Sequence, residues 1–178
     1  MSGFFLTVSL ESILILANAA VDGGKIFSMN LSAPFVCDYF GDRLSACMPY
    51  VDFLFSNESE ALAYGKTKGY GENLRTIALK ISAQPKASGT RPRVVVFTQG
   101  CEPTIVASMG EITEHAVDPL PKELLVDTNG AGDAFVGGFL AQLARGHSLA
   151  ECVRAGHWAA RVIIQRSGCT FPSLCTYV

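Results

Sequence analysis

A glycine-rich turn at residues 127–133 (Asp-Thr-Asn-Gly-Ala-Gly-Asp) carries residue types that could hold a phosphate and remove a proton. Glycines let the backbone approach a ligand closely, and the first N–H groups of a following helix point outward as anion donors. Asp133 falls in the first helical turn, where its carboxylate could accept a proton from an attacking hydroxyl. The residues alone favour an ordinary alternative, in which Asp133 only complements the helix dipole, because first-turn acids are common.

Two familiar phosphate-binding motifs are excluded. The dinucleotide fingerprint G-x-G-x-x-G, started at Gly130, would need a third glycine where the chain has Phe135. A Walker A motif ending at Gly65-Lys66-Thr67 would need its first glycine where the chain has Glu60. Any nucleotide would therefore be held by another device.

A second candidate pair is Asn57 and Glu60, which follow a predicted strand. A carboxylate here could organise a metal ion and its waters near a phosphate. Asn followed three residues later by Glu is also the pattern of a capping box at a helix start. The spacing alone favours the capping interpretation.

An α/β framework would position these turns. Residues 3–9 are rich in Phe, Leu and Val and predict a buried strand. Ser9 is expected to cap a helix with apolar residues at helical spacing, which ends at Gly23-Gly24. Residues 25–31 predict a second strand. Together they predict a right-handed βαβ unit with parallel strands.

The alternation continues along the chain, and we expect a mostly parallel sheet. In such sheets ligands lie beyond the carboxyl ends of the strands. The segment 131–145 is apolar on nearly every side, which predicts a buried helix, and 84–92 predicts an exposed loop. The remaining predictions are helices at 36–49, 57–65, 71–83 and 149–165, and strands at 51–55, 93–98, 104–108 and 111–117, the last two forming a hairpin around Met109-Gly110.

Composition narrows the class of protein. The 178 residues carry a net charge of −2, with 49% hydrophobic and 17% charged residues. The near-neutral charge argues against binding nucleic acid or an anionic membrane through bulk charge, and the low charged fraction argues against disorder. The longest apolar stretches, 3–8 and 13–17, are far shorter than a membrane span. We expect a folded protein with no nucleic-acid or membrane partner.

The amino terminus and the cysteines predict a reducing compartment. Ala17-Asn18-Ala19 is similar to a signal-peptide cleavage site, but no Lys or Arg precedes Lys25 and Glu11 interrupts the apolar run. The six cysteines are scattered, with no C-x-x-C pair and no zinc spacing. We therefore expect the protein in the cytoplasm, with the nucleus as a second compartment.

Several short motifs, in order along 3–172, resemble the ribokinase-like kinases of the pfkB type. The most characteristic is DTNGAGDAFVG at 127–137, and NESE at 57–60 is similar to their N-x-x-E motif. More particular matches are to the adenosine kinase branch of that family. These are GFFLTVS at 3–9, NLSAPF at 30–35, FTQG at 97–100, and RAGH at 154–157 with CTFP at 169–172.

The resemblance implies a three-layer α/β fold with a mostly parallel central sheet. It covers only the carboxy-terminal half of such a kinase, so residues 1–178 are expected to form part of a single domain. The amino-terminal half and the small lid sheet are expected to lie outside this sequence. The last residues, 173–178, do not resemble the end of a typical family member.

The implied activity is transfer of the ATP γ-phosphoryl group to the 5′-hydroxyl of adenosine, giving AMP in purine salvage. The resemblance makes Asp133 the general base, with Mg²⁺ as cofactor and K⁺ as a further candidate, and a full-length member is expected to be monomeric. The other implied roles are an anion hole from Gly130, Ala131 and Gly132; ATP contacts from Asn57, Thr98, Gly100 and His157; nucleoside contacts from Phe4, Phe35 and Asn129; Mg²⁺ held by Glu60 through water; and a monovalent cation at Asp127 and Thr128.

Two alternatives stay open. The chain could be a catalytically incomplete fragment that only binds nucleotide, since half of the expected kinase is missing. It could also be a sugar kinase of the same family, although Phe4 and Phe35 argue against this because a sugar offers no aromatic ring to stack. Taken singly, Phe4 and Phe35 are more often core residues, and a lone histidine such as His157 on a helix is more often a packed one.

Overall fold

A computed structural model describes residues 1–87, 89 and 91–177. The chain divides into two compact units, Met1–Glu114 and His115–Val178. The first contains a sheet with its helices, and the second is built on two helices. The α/β fold class is confirmed, and the single domain stays a prediction.

The sheet has five strands in the order β1-β2-β3-β4-β5. They are β1 (Ser28–Asn30), β2 (Phe53–Asn57), β3 (Val94–Gln99), β4 (Glu102–Ser108) and β5 (Glu111–His115). The β1–β2 and β2–β3 pairs are parallel, and β4 runs antiparallel to β3. The predicted hairpin is confirmed, and Met109 and Gly110 both have positive φ (52° and 80°), as a tight two-residue hairpin turn requires.

Five α-helices accompany the sheet: α1 (Leu10–Asp22), α2 (Pro34–Tyr39), α3 (Gly41–Cys47), α4 (Glu58–Thr67) and α5 (Leu74–Ser82). The predicted cap of α1 is confirmed, because the Ser9 hydroxyl accepts the Ser12 N–H at 3.2 Å and the helix ends at Gly23. The predicted helix at 36–49 is instead broken at Phe40, which separates α2 from α3, and it continues as a 3-10 turn at Met48–Tyr50.

The prediction of a strand at 3–9 is wrong. Gly3–Thr7 forms a 3-10 helix, in which Ser2 Oγ accepts the Phe4 N–H at 3.3 Å. Its two buried residues, Gly3 and Leu6, are three positions apart, which is one 3-10 turn. The predicted βαβ unit built on that strand is therefore also wrong, and the first parallel crossover runs from β1 through α2 and α3 to β2.

Buried polar side chains tie the ends of the strands together. Asp52 Oδ2 accepts the Phe27 N–H at 2.9 Å, and Oδ1 is paired with the Lys86 ammonium. Lys86 lies within the predicted loop 84–92, so the expectation that this loop is exposed is wrong at this position because the ion pair draws the side chain inward. Residues 88 and 90 of that loop lie outside the described residues.

In the second unit, α6 (Ala131–Leu143) packs against α7 (Leu149–Ile164). The helices approach closely at two glycines, since a Cβ on Gly138 would lie 2.5 Å from the Ala155 carbonyl oxygen and one on Gly156 would lie 2.7 Å from the Phe135 ring. The prediction of a buried helix at 131–145 is wrong within this unit. Only the face carrying Phe135, Phe139 and Gln142 is buried.

None of the helices in the described ranges is both long and apolar enough to cross a membrane.

Candidate active site

The turn before α6 takes the shape that its glycines allow. Gly130 is the N-cap residue in the left-handed conformation (φ 75°), with no side chain capping the helix. Asp127 holds the approach, because its Oδ1 accepts the Asn129 N–H at 2.9 Å and its Oδ2 accepts the Gly168 N–H at 3.2 Å. Asp127 therefore does not cap the first N–H groups of α6.

Two predicted anion donors, Ala131 and Gly132, are the first two residues of α6. First-turn N–H groups have no carbonyl partner within their own helix and carry the positive end of the helix dipole. The Ala131 N–H donates to the Thr128 carbonyl at 3.2 Å. It would have to exchange that bond to serve a phosphoryl group, whereas the Gly132 N–H makes no such bond to another described residue.

Asp133 projects from the first turn of α6 and is exposed. Together with Gly130 it lines a cavity of about 490 Å³ within the second unit. The carboxylate is thus one helical turn from the backbone donors and opens on a space that could admit a substrate hydroxyl. Such an arrangement suits proton removal next to a bound anion.

The walls of this cavity are mostly apolar side chains that the sequence motifs did not assign. From α7 they include Trp158 and Val162, and from the segment after α7 they include Cys169, Phe171 and Cys175. The motif CTFP lies in this stretch, but it did not indicate that the stretch lines a cavity. Trp158 is the only tryptophan of the chain, and nothing in the sequence around it predicted that it would line a cavity.

His157 lies on α7 but is not among the residues that line the cavity. Its ring packs on Phe135 with centroids 5.6 Å apart. Burial lowers the pKa of His157, and repulsion from His115 lowers it further, while Asp118 opposes both. These contacts agree with the packing interpretation, and its contact with ATP stays a prediction.

Asn57 and Glu60 form a complete capping box at the start of α4. Asn57 Oδ1 accepts the Glu60 N–H at 2.9 Å, and Glu60 Oε2 accepts the Asn57 N–H at 3.1 Å. Glu60 Oε1 also accepts from Asn57 Nδ2 at 2.9 Å, and the residue is 7% exposed. The capping interpretation is confirmed. A carboxylate oxygen can accept more than one hydrogen bond, so the group fits a role as acceptor for a metal-bound water.

Thr98 lies on β3, the strand next to the one that ends at Asn57. It lies opposite Asn57 in the parallel β2–β3 register, and its hydroxyl donates to the Ser56 carbonyl at 3.5 Å. Gly100 follows at the end of β3 with φ 60°. Asn57, Glu60, Thr98 and Gly100 are therefore gathered at the carboxyl ends of two parallel strands, where ligands of α/β sheets bind.

Phe4 and Phe35 come together although 31 positions separate them. Their ring centroids are 6.1 Å apart in an edge-to-face arrangement, and Phe35 makes a similar contact with Phe40 at 6.4 Å. The two side chains are 54% and 38% exposed. The expectation that they are core residues is wrong, and an exposed aromatic pair offers a surface on which a base could stack.

Metal ligands are not concentrated at any one point of the part of the chain that the structure describes. Within residues 1–87, 89 and 91–177, no three His, Cys, Asp or Glu side chains converge to hold a metal ion. Both oxygens of Asp127 accept backbone N–H groups, and the Thr128 carbonyl accepts one from Ala131. A magnesium ion bound here would therefore take most of its ligands from the phosphates of a bound molecule and from water.

Comparison with known proteins gives a consistent result. Residues 1–175 match the pfkB family carbohydrate kinases. Adenosine kinase 1 of Arabidopsis thaliana is 54% identical over 172 residues, covering 96% of this chain and 50% of that protein. The adenosine kinase of Schizosaccharomyces pombe is 45% identical over 171 residues, with the same coverage.

Solved structures agree. Anopheles gambiae adenosine kinase in complex with P1,P4-di(adenosine-5) tetraphosphate superposes with a TM-score of 0.92 at 50% identity, covering 97% of this chain and 52% of that one. Schistosoma mansoni adenosine kinase in complex with 2-fluoroadenosine gives 0.93 at 35% identity, covering 97% and 51%. The chain spans about half the length of the relatives that it matches. Over that span, it belongs to the pfkB family of carbohydrate kinases.

Proposed function

We propose that this chain carries the phosphoryl-transfer machinery of an adenosine kinase, which moves the γ-phosphoryl group of ATP to the 5′-hydroxyl of adenosine. The observation that carries the proposal is Asp133, exposed beside a cavity one turn after the left-handed Gly130. The relatives named adenosine kinase and the neighbour solved with a diadenosine tetraphosphate support the choice of ATP and adenosine.

The chemistry follows from the position of Asp133. The adenosine O5′ attacks the γ-phosphorus, the bond from that phosphorus to the bridging oxygen of ADP breaks, and the O5′ proton passes to the Asp133 carboxylate. The N–H groups of Gly130 and Gly132, and that of Ala131 once it leaves the Thr128 carbonyl, would stabilise the charge that builds on the transferring group, aided by the α6 dipole. Phosphoryl transfer depends mainly on such positioning and charge stabilisation.

The supporting groups have separate roles in the proposal. Mg²⁺ would neutralise charge on the ATP phosphates, and the Glu60 carboxylate would orient its waters. Asn57, Thr98, Gly100 and His157 would contact ATP. Phe4 and Phe35 would stack the adenine of the nucleoside, with Asn129 at its ribose. A potassium ion at Asp127 and Thr128 is a separate proposal on which the reaction described here does not depend.

The principal experiment measures ADP release by the purified 178-residue chain with Mg·ATP, with and without adenosine. Asp133→Asn is expected to reduce adenosine-dependent turnover by about 10²–10⁴-fold while ATP affinity changes little. Asp42→Asn is the matched control, because Asp42 is also an exposed first-turn aspartate, on α3, with no proposed role. Unchanged turnover in Asp133→Asn would remove Asp133 as the base.

The same assay separates the alternatives. Turnover that requires ribose instead of adenosine would favour the sugar kinase. A soluble, folded chain that binds ATP without turnover would favour the incomplete fragment, an outcome for which the half-length match is the specific support.

The nucleoside site has its own test. Phe35→Ala is expected to raise the adenosine KM several-fold before ATP binding changes, because it removes one ring of the exposed pair. Tyr39→Ala is the control, since Tyr39 is an 81% exposed aromatic residue on the same helix. Equal losses for adenosine and ATP would indicate a folding defect instead.

We also propose that the kinase acts in the cytoplasm as a monomer when full length, with no nucleic-acid or membrane partner. The net charge of −2 supports the absence of a nucleic-acid or membrane partner, and six cysteines that are all free thiols support a reducing compartment. Sedimentation of the full-length protein and imaging of a fluorescent fusion would test these two statements.

A further inference from the structure

The exposed aromatic pair, Phe4 and Phe35, is supported by a third ring. Phe40 lies where α2 ends and α3 begins, and its ring meets that of Phe35 edge to face, with centroids 6.4 Å apart. Phe40 is half-buried and packs against the hydrophobic core of the first unit. Phe35 therefore rests on a ring that the core holds in place.

Arg43 on α3 contacts both sides of this arrangement. Its guanidinium carbon lies over the Phe40 ring, 5.4 Å from the centroid, which is within the range of about 6 Å for a cation–π contact. Its Nη1 donates to the Leu6 carbonyl at 2.7 Å. Leu6 belongs to the 3-10 helix Gly3–Thr7, whose last carbonyls have no acceptor role within the helix. Arg43 thus joins the supporting ring to the helix that carries Phe4.

These contacts form a closed circuit around the aromatic pair. It runs from Phe4 to Phe35 and Phe40 through ring contacts, then to Arg43, and returns through the Leu6 carbonyl to the helix of Phe4. A closed circuit restrains both rings of the pair at once, whereas a single contact would restrain only one. Binding side chains need such support, because their orientation is fixed by the groups that pack behind them.

The backbone before Phe35 also depends on its surroundings. The Ala33 N–H donates to the Leu31 carbonyl at 2.9 Å, and Ser32 between them has a φ of 71°. This is the γ-turn with positive φ, which is rare and strained. A strained turn persists only where neighbouring contacts hold it. The segment that carries Phe35 is therefore held in place by its contacts, and the contact with Phe40 is one of them.

We infer that Arg43 is a positioning residue for a purine nucleoside. It acts through Phe40 and the Leu6 carbonyl to keep Phe4 and Phe35 at the spacing that receives the base, and it does not itself touch the nucleoside. The inference rests on the proposed function, in which this pair stacks the adenine of adenosine.

The test measures the affinity of the 178-residue chain for adenosine and for ATP by isothermal titration calorimetry. Arg43→Met keeps an unbranched apolar side chain but removes the guanidinium, so the Kd for adenosine should rise about threefold to tenfold while that for ATP changes less than about twofold. Arg43→Lys keeps a cation for Phe40 and should bind adenosine more tightly than Arg43→Met. Arg75→Met is the matched control, because Arg75 is also an exposed helical arginine of the first unit and pairs with Glu114. It should bind both ligands like the parent.

Two results would overturn the inference. One is an adenosine affinity in Arg43→Met equal to that of the parent, and the other is an equal loss for adenosine and ATP, which a purely structural role would produce. Where Arg43→Met does not fold, Phe40→Leu tests the same circuit, because it removes the middle ring and leaves Arg43 unchanged. It should weaken adenosine binding selectively, and an unchanged affinity would also overturn the inference.

Phe35→Ala distinguishes a failure of this inference from a failure of the proposed function. If Phe35→Ala weakens adenosine binding while Arg43→Met and Phe40→Leu do not, the inference is wrong and the proposed nucleoside site stands. If the parent binds no adenosine, or Phe35→Ala binds it equally well, the proposed nucleoside site is wrong and the inference falls with it. The calorimetric measurement requires no turnover, so a chain that is catalytically inactive still decides between these outcomes.

Discussion

The Sγ atom of Cys169 occupies the space beside Gly130 where a side chain would begin. A Cβ atom on Gly130 would lie only 2.5 Å from that sulfur, and Cys169 Sγ also donates to the Asn129 carbonyl at 3.9 Å. The segment that follows α7 is thus fitted against the turn that begins α6. Glycine is needed at position 130 for this contact as well as for its positive φ.

Gly130→Ala is expected to lower the free energy of unfolding by about 1–3 kcal/mol, because alanine must adopt a left-handed conformation and displace the Cys169 thiol. Gly137→Ala, a helical site with nothing within 4 Å of the new methyl group, is the control and should stabilise by about 0.5–1 kcal/mol. Urea unfolding followed by Trp158 fluorescence measures both. Equal stability of the two variants would contradict the packing described.

Arg93 should be among the most costly residues to replace. It is 1% exposed, and its guanidinium donates to five backbone carbonyls, those of Met48, Val51, Ile81, Gln84 and Pro85. Arg93→Met removes all five of these hydrogen bonds from a buried site and is expected to cost more than about 3 kcal/mol. Arg75→Met, which removes an exposed ion pair with Glu114, should cost less than about 1 kcal/mol. Denaturant unfolding monitored by circular dichroism compares them, and similar losses would argue against the buried network.

Matched substitutions in the capping boxes of α4 and α7 distinguish a structural role of Glu60 from a role in metal binding. Glu60→Gln keeps an acceptor at the third helical position but removes the charge, so helix stability should hold while the apparent affinity for Mg²⁺ in the ADP-release assay falls about 10–100-fold. Glu151→Gln makes the same change in the capping box of α7, which has no proposed metal role. If Mg²⁺ titrations of the two variants coincide, Glu60 is a cap and nothing more.

The cysteines should fall into two reactivity classes. Cys37, Cys47 and Cys152 are buried, whereas Cys101, Cys169 and Cys175 are exposed. Burial raises the pKa of Cys37 to about 12, aided by repulsion from Glu60 and Asp38, and raises that of Cys47 to about 11. Since the thiolate is the nucleophile, iodoacetamide should modify only the exposed three in the native protein. Mass spectrometry before and after unfolding measures this, and rapid native labelling of Cys37 would contradict the fold.

Stability should fall as the solution becomes acidic, in part through His157. Its pKa is lowered from 6.5, mainly by burial, so the unfolded chain binds a proton more readily than the folded one. The stabilising effect of a neutral His157 is complete above about pH 6.5 and is lost progressively below it. His157→Gln should flatten the dependence of unfolding free energy on pH between about pH 7 and about pH 5. Identical slopes for variant and parent would show that His157 does not contribute.

The sequence predicted most helices because their signals are local. Ser9 caps the helix that follows it, and Asn57 with Glu60 begins α4 at the expected residue. Segments such as 93–98, with a continuous run of β-branched residues, gave strands within one or two positions. Caps and short apolar runs act over a few residues, so a single sequence is enough to locate them.

The segment 3–9 failed because its conformation depends on distant residues. Gly3 donates to Asn30 Oδ1 at 2.8 Å, and Arg43 donates to the Leu6 carbonyl at 2.7 Å. These contacts satisfy backbone groups that would otherwise need hydrogen bonds to a neighbouring strand. The partners are more than 25 positions away in the sequence, so no local pattern predicts the contacts. The pairing of Lys86 with Asp52 in a supposedly exposed loop escaped prediction for the same reason.

The sequence located the turn and the helix of the candidate site but not the walls of its cavity. The turn at 127–133 and the helix after it were located from their glycines and an acidic residue. These residue types are typical of phosphate binding and of proton removal. Trp158, Val162 and Phe171 line the cavity through ordinary packing side chains, and packing side chains carry no such signature. The exposed pair of Phe4 and Phe35 is likewise visible only once the fold brings residues 31 positions apart together.

The mixed sheet also orders the events by which the first unit can fold. The turn at Met109-Gly110 joins β4 to β5, and β4 follows β3 after only two residues, so these three strands can pair on the microsecond scale of hairpins. The β1–β2 and β2–β3 pairs are parallel and need long crossovers through helices, whose closure costs more chain entropy. Residues 94–115 are therefore the natural nucleus, and β1 is the last strand to join.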